Sequence, residues 1–141
     1  MSTGINLIKE LREKTGVGFL DCKLALKENN NNIEASIDYL RKKGLAKASK
    51  KSSREANEGA VSVYNNKNKT VLLKVNSETD FAAKSDVFLN FVDEIGNIAI
   101  KIDSNIDKDK FLDQTYENKK ISDRFTEIIL KIGENILLGD L

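Results

Sequence analysis

Apolar residues recur at helical intervals along the first third of the chain. Ile5, Ile8 and Leu11 are spaced for one face of a helix that Ser2 or Thr3 could cap. Thr15-Gly16-Val17-Gly18 interrupts this run, because two glycines admit turn conformations that other residues resist. Phe19, Cys22 and Leu26 then line a second helix, with Leu20 and Leu24 beside them, and Asn29 to Asn32 form a polar turn. Asn32 is placed to cap a third helix carrying Ile33, Ile37 and Leu40. That helix is expected to stop at Gly44, with Arg41, Lys42 and Lys43 in a last turn where the helix dipole favours positive charge.

Beyond Gly44 the period changes. Lys47 to Glu58 reads as a connector in which Ala46, Ala48 and Ala56 favour helix while Ser49, Ser52, Ser53 and Gly59 loosen it. Val61 and Val63 alternate with polar residues, as do Val71, Leu73 and Val75, and Asn65-Asn66-Lys67-Asn68 supplies the turn between them. This pattern predicts a β-hairpin. Two strands alone are marginal in water, so a cover and a third strand are expected. The chain offers both. Val87, Phe88, Phe91, Val92, Ile95, Ile98, Ala99 and Ile102 repeat at helical spacing after Ser85, its expected cap. Phe111 and Leu112 mark a shorter piece, Ile121, Phe125, Ile128, Ile129 and Ile132 a further helix, and Ile136-Leu137-Leu138-Gly139 a short edge strand. The expected class is α+β: a three-helix bundle over residues 1–44, a basic helical linker over 45–58, and over 59–141 a small antiparallel sheet covered by helices.

Composition narrows the chemistry. The 141 residues are 40% apolar, enough for one moderate domain or two small ones with a buried core. No run approaches the roughly 18 apolar residues of a membrane helix, and charge at Lys9 and Glu10 precedes any signal-like apolar block. A cytoplasmic location is expected. With no histidine and one cysteine, a Ser-His-Asp triad, a Cys-His pair and any His or multi-Cys zinc site are excluded. Cys22 is expected to be a small buried apolar residue. Net charge is only +1, yet seven basic residues and no acidic one lie between Arg41 and Arg54. That run marks a charge boundary and a domain boundary. The fifteen asparagines and the absence of proline indicate composition bias.

The stretch Val75 to Phe88 begins in the alternating pattern and ends in the helical one, so Thr79, Asp80 and Phe81 fall on the crossing between two elements. Functional residues concentrate at such crossings. The whole stretch, Val75-Asn76-Ser77-Glu78-Thr79-Asp80-Phe81-Ala82-Ala83-Lys84-Ser85-Asp86-Val87-Phe88, closely resembles the signature of the elongation factor Ts family, nucleotide exchange factors for elongation factor Tu. Further pieces resemble the same family in the same order. Leu11 to Gly18 with Asp21-Cys22-Lys23 and Ala25-Leu26 is similar to its N-terminal signature, Arg41 to Gly44 with Ala46-Lys47-Ala48 to its basic linker, and Ile132-Gly133-Glu134-Asn135-Ile136 to the end of the first half of its core.

The resemblance implies a ubiquitin-associated-like bundle at the N-terminus and an exchange mechanism without bond chemistry. In the family the Thr-Asp-Phe turn is pushed against the partner GTPase near its nucleotide, where the ring wedges between helices and disturbs the bound magnesium. The matching residues are Thr79, Asp80, Phe81 and Ala82, with Ala82 standing where valine is usual. The bundle docks on the same GTPase domain, through positions that match Val17, Gly18, Phe19 and Leu20; methionines are common at the last two. The implied partner is elongation factor Tu, GDP-bound and nucleotide-free, with no cofactor, no metal of the chain's own, no membrane and no specific nucleic acid. Family members generally continue into a related second half that grips another domain of the GTPase. A fragment or an unusually short relative, binding weakly, is therefore expected.

These residues also admit other readings. Asp80 could cap a turn and Phe81 could be buried under Phe88. Glu78, Asp80 and Asp86 could form a metal site, although nothing supplies a nucleophile. Thr15-Gly16-Val17-Gly18 lacks the lysine and length of a phosphate loop. The segment 41–54 could bind nucleic-acid phosphates as a non-catalytic module, although it has no aromatic residue to stack on bases.

Overall fold

The computed structural model describes residues 2–102 and 106–141, with side chains described from residue 4 onward. The cap expected at Ser2 or Thr3 lies outside the described side chains. The chain divides into two units, Met1–Lys50 and Lys51–Leu141. The class is α+β, with three N-terminal helices followed by a three-stranded antiparallel sheet packed with helices.

In the first unit, α1 (Ser2–Thr15), α2 (Phe19–Glu28) and α3 (Ile33–Lys51) enclose a core of Ile8, Leu11, Cys22, Ala25, Leu26 and Leu40. Leu7, Val17, Ile33, Ile37 and Tyr39 pack around it. Asn32 caps α3 as expected, its Oδ1 accepting from the Ala35 N–H at 2.9 Å. Asn30 and Asn31 adopt positive φ in the preceding turn, a conformation that asparagine tolerates better than most residues. Three expectations are corrected. Ile5 of α1 is exposed. On α2 the inward face is Cys22, Ala25 and Leu26, which leaves Phe19, Leu20 and Leu24 exposed. Helix α3 runs on past Gly44 to Lys51. One interior glycine costs a helix about 1 kcal/mol, and the alanines and lysines that follow are good helix formers.

Burial pushes the Cys22 thiol up from its ordinary range. Asp21 moves the other way. A hydrogen bond from Lys43 at 3.0 Å, reinforced by Lys47 at 3.5 Å, holds its carboxyl below the ordinary range against the opposing effect of partial burial.

In the second unit, β1 (Glu58–Asn65) and β2 (Thr70–Ser77) form the predicted hairpin, and β5 (Leu137–Asp140) adds the expected edge strand beside β2. Helix α5 (Asp86–Lys101) lies on this sheet and is capped by Ser85, whose Oγ accepts from the Phe88 N–H at 3.3 Å. Phe88, Phe91, Val92, Ile95, Ile98 and Ala99 are buried, whereas Val87 is exposed. Strand β1 shows the opposite alternation to the expected one. Residues paired across antiparallel strands share a face. Val71, Leu73 and Val75 of β2 are buried and lie opposite Tyr64, Ser62 and Ala60. Val63 is therefore paired with Leu72, and Val61 with Lys74, on the outer face, where the two valines are 60% and 63% exposed.

Helix α5 approaches β1 at Gly96, where a Cβ would stand 2.2 Å from the Tyr64 ring. The Tyr64 hydroxyl donates to Asp93 Oδ1 at 2.7 Å, which holds the ring in place. Helix α6 (Lys108–Asp113) buries Phe111, and α7 (Ile121–Ile132) buries Ile121, Phe125, Ile128 and Ile129, with Phe91 and Phe125 edge to face at 4.9 Å. Between them a two-residue hairpin joins β3 (Thr115–Tyr116) to β4 (Lys119–Lys120). Strands of two residues carry no alternating pattern by which the sequence could mark them.

Two outcomes follow from this packing. Gly96→Ala should destabilise the second unit by about 1–2 kcal/mol, overpacking against the ring outweighing the gain in helix propensity. A lowered urea midpoint checks this; an unchanged one would mean that the ring yields freely. Asp21, with its folded pKa lowered, contributes stability that is present above the ordinary carboxylate range and lost as pH falls through the folded value. Amide protection of Leu26 and Leu40 should therefore decline below about pH 4, and less steeply in Asp21→Asn, which should start from lower protection at neutral pH.

Candidate functional site: a held turn with an exposed aromatic ring

The turn begins where β2 ends. Thr79 is extended, at φ −120° and ψ 155°, and its Oγ1 accepts from the Ala82 N–H at 3.2 Å, so Thr79 rather than Asp80 caps the short helix α4 (Asp80–Ala83). Four residues cannot sustain a helix on propensity. Burial of Ala82 and Ala83 supplies one anchor. The other comes from 55 residues further along the chain.

Glu134 Oε1 accepts from the backbone N–H of Glu78 at 3.1 Å and of Thr79 at 3.0 Å, and its Oε2 accepts from the Thr79 hydroxyl at 2.7 Å. The exchange is reciprocal. Glu78 Oε1 accepts from the Asn135 N–H at 2.8 Å and from Arg54 at 3.5 Å, while Asn135 Nδ2 donates to the Arg54 carbonyl at 2.9 Å. Hydrogen bonds to a carboxylate contribute about 1.5–3 kcal/mol each. Gly133, the left-handed cap of α7 at φ 82°, turns the chain so that Glu134 reaches this position.

On this base Phe81 is 84% exposed. That exposure overturns the alternative of a ring buried under Phe88, which fills the core without it. A lone exposed apolar side chain is ordinary on protein surfaces. Phe81 differs because its backbone is held by a buried pair of alanines and a carboxylate. Asp80 is half exposed and lies 3.4 Å from Lys84, an i,i+4 pair of little energetic weight. Ala82 points inward. Of the carboxylates weighed as a metal site, Glu78 is turned to Asn135 and Arg54, and Asp80 to Lys84. Among the described residues no group of three or more His, Cys, Asp or Glu could hold a metal ion.

The second set of predicted residues lies in the bundle. Val17 is partly buried against the core, and Gly18 precedes α2, its carbonyl accepting from the Cys22 N–H at 3.1 Å. Phe19 is 45% and Leu20 78% exposed, and Leu24, one turn beyond Leu20, extends the same apolar face. Leu24 was not among the predicted site residues. Nor were Glu78 and Glu134, whose partnership spans too much sequence for local pattern to expose; the signal was that each lies in a stretch resembling a family motif.

Five of the seven cations in the basic run share three carboxylates. Arg41 and Lys42 pair with Asp38, Lys43 and Lys47 with Asp21, and Arg54 with Glu78, while Lys51 donates to the Gly133 carbonyl at 2.6 Å. The run keeps a net positive charge, but it has no aromatic residue to stack on bases.

Residues 78–140, which contain the whole turn and Glu134, match the family model described as Elongation factor TS. The chain is 46% identical over 132 residues to elongation factor Ts of Allorhizobium ampelinum, covering 94% of this chain and 43% of that protein. It is 43% identical over 138 residues to elongation factor Ts of Sinorhizobium fredii, covering 98% of this chain and 45% of the relative. The protein of the same name from Azorhizobium caulinodans is 46% identical over 132 residues. The chain thus spans somewhat less than half the length of these relatives. An exposed ring on a held turn, set in the segment that matches the family model, agrees with identities of this level along nearly the entire chain: it belongs to the elongation factor Ts family.

Proposed function

We propose that this chain is a guanine nucleotide exchange factor of translation elongation, working in the cytoplasm. It binds elongation factor Tu in its GDP-bound and nucleotide-free forms and speeds GDP release without making or breaking a bond. The observation that carries this reading is Phe81, 84% exposed on a turn fixed from beneath. Magnesium holds a nucleotide by bridging phosphate oxygens and demands near-ideal octahedral geometry, so a small displacement of its surroundings weakens the nucleotide disproportionately. A rigid ring entering a gap that closes when nucleotide is bound would cause such a displacement. Asp80, beside it and half exposed, places a negative charge where it disfavours bound phosphate. Thr79 and Ala82 serve from below, one as the cap and one as the anchor.

Magnitudes require a second contact. Burying one phenyl ring yields roughly 1.5–3 kcal/mol, whereas a thousandfold faster release needs about 4 kcal/mol of differential stabilisation. The exposed apolar face of Phe19 and Leu20, following Val17 and Gly18, is suited to supply affinity by docking on the same partner. Reciprocity then requires GDP to weaken the protein complex by the same factor by which the protein weakens GDP.

The two sets of residues should separate kinetically. Release of fluorescent GDP from elongation factor Tu should accelerate with added chain, and Phe81→Ala should lower the saturating rate roughly 10- to 100-fold. Leu20→Ser should instead raise the half-saturating concentration with the saturating rate little changed. An unaltered titration in Phe81→Ala would refute the role of the ring, and an unaltered one in Leu20→Ser would refute docking through α2.

A further inference from the structure

Resting on the exchange reading, we infer that Glu134 is a positioning residue for GDP release, acting on the partner only through the direction in which it holds Phe81. Both of its carboxylate oxygens are committed to the turn, Oε1 to the two N–H groups of Glu78 and Thr79 and Oε2 to the Thr79 hydroxyl. The last bond decides the geometry. A threonine hydroxyl has one proton and two lone pairs. With its proton given to Glu134, Thr79 Oγ1 keeps a lone pair for the Ala82 N–H, and that bond closes the turn of α4 from which Phe81 projects.

A glutamine at position 134 cannot reproduce this. If its oxygen accepts the two backbone N–H groups, its amide donates to the second lone pair of Thr79 Oγ1, neutral bonds replace three charge-assisted ones, and the hydroxyl proton must find another acceptor, so the turn is held less firmly. If the amide is flipped, donors face donors at the backbone. The reverse arm, from Glu78 to the Asn135 N–H, fixes the backbone on which Glu134 stands. The ring lies only two residues from the hydroxyl that Glu134 orients and has no enclosing side chains of its own to aim it.

The test is fluorescent-GDP release from elongation factor Tu, titrated with the full chain as wild type, Glu134→Gln, Phe81→Ala and the double variant, alongside amide exchange. Glu134→Gln should lower the saturating rate about tenfold, shift the half-saturating concentration less than twofold, and speed exchange of the Glu78 and Thr79 amides while Leu73 stays protected. It should add nothing in the Phe81→Ala background, because a residue that acts through the ring has no effect once the ring is gone. A Glu134→Gln chain as active as wild type overturns the inference while leaving the exchange reading intact. An equal loss in both backgrounds also overturns it, as the mark of general destabilisation. Should Glu134→Gln fail to fold, Thr79→Val, which removes the hydroxyl's bonds to Glu134 and to the Ala82 N–H together, must show the same dependence on Phe81. A wild-type chain that never accelerates release defeats the exchange reading and this inference together.

Discussion

Two glutamates crossing between distant segments carry most of what is specific about the second unit. Glu134 reaches back to the backbone at residues 78 and 79, and Glu78 reaches forward to the backbone at residue 135. Each satisfies N–H groups left over where a strand becomes something else, and such groups are costly when withdrawn from water without a partner. The crossing joins the end of β2 to the approach of β5, so the bonds that hold the turn also lie beside the β2–β5 pairing. Side chain to backbone bonds of this kind depend on few neighbouring side chains. That lets the surface around Phe81 remain open while its backbone stays fixed.

The division between held backbone and free ring follows from where the apolar area lies. Helix α5 covers Val71, Leu73 and Val75 and needs nothing from residue 81 to complete that core. Ala82 and Ala83 are small enough to pack where Phe81 could not. The bundle shows the same economy: Ala25 takes the inward position, and Phe19, Leu20 and Leu24 are left outside. In both units a small residue seals the core next to an exposed large one.

Much of this was legible in the sequence, for reasons that differ by element. Helices α5 and α7 announce themselves because their apolar residues keep helical spacing over three or more turns. The β1–β2 hairpin is equally plain from its period and its Asn-rich turn. The face of β1 was misread because valine suggests burial, whereas the register is decided by the stronger apolar row of β2. The end of α3 was misread because Gly44 resembles a terminator although it sits buried within a helix that alanine and lysine carry onward. The β3–β4 hairpin has strands of two residues and turns at Glu117 and Asn118, both at positive φ, and glutamate gives no turn signal. Phe81 was identified by motif resemblance, but its exposure is a tertiary fact. The bond network beneath it, linking residues 55 and more positions apart, has no local signature at all.

On the proposed exchange function, the Phe81 ring moves from water into the partner GTPase when nucleotide leaves. Fluorophenylalanine placed at position 81 reports this directly by fluorine resonance. The free chain should give a narrow, solvent-exposed signal; nucleotide-free elongation factor Tu should shift and broaden it, and GDP with magnesium should restore it. A signal that stays unchanged while the two proteins demonstrably form a complex would contradict the claim.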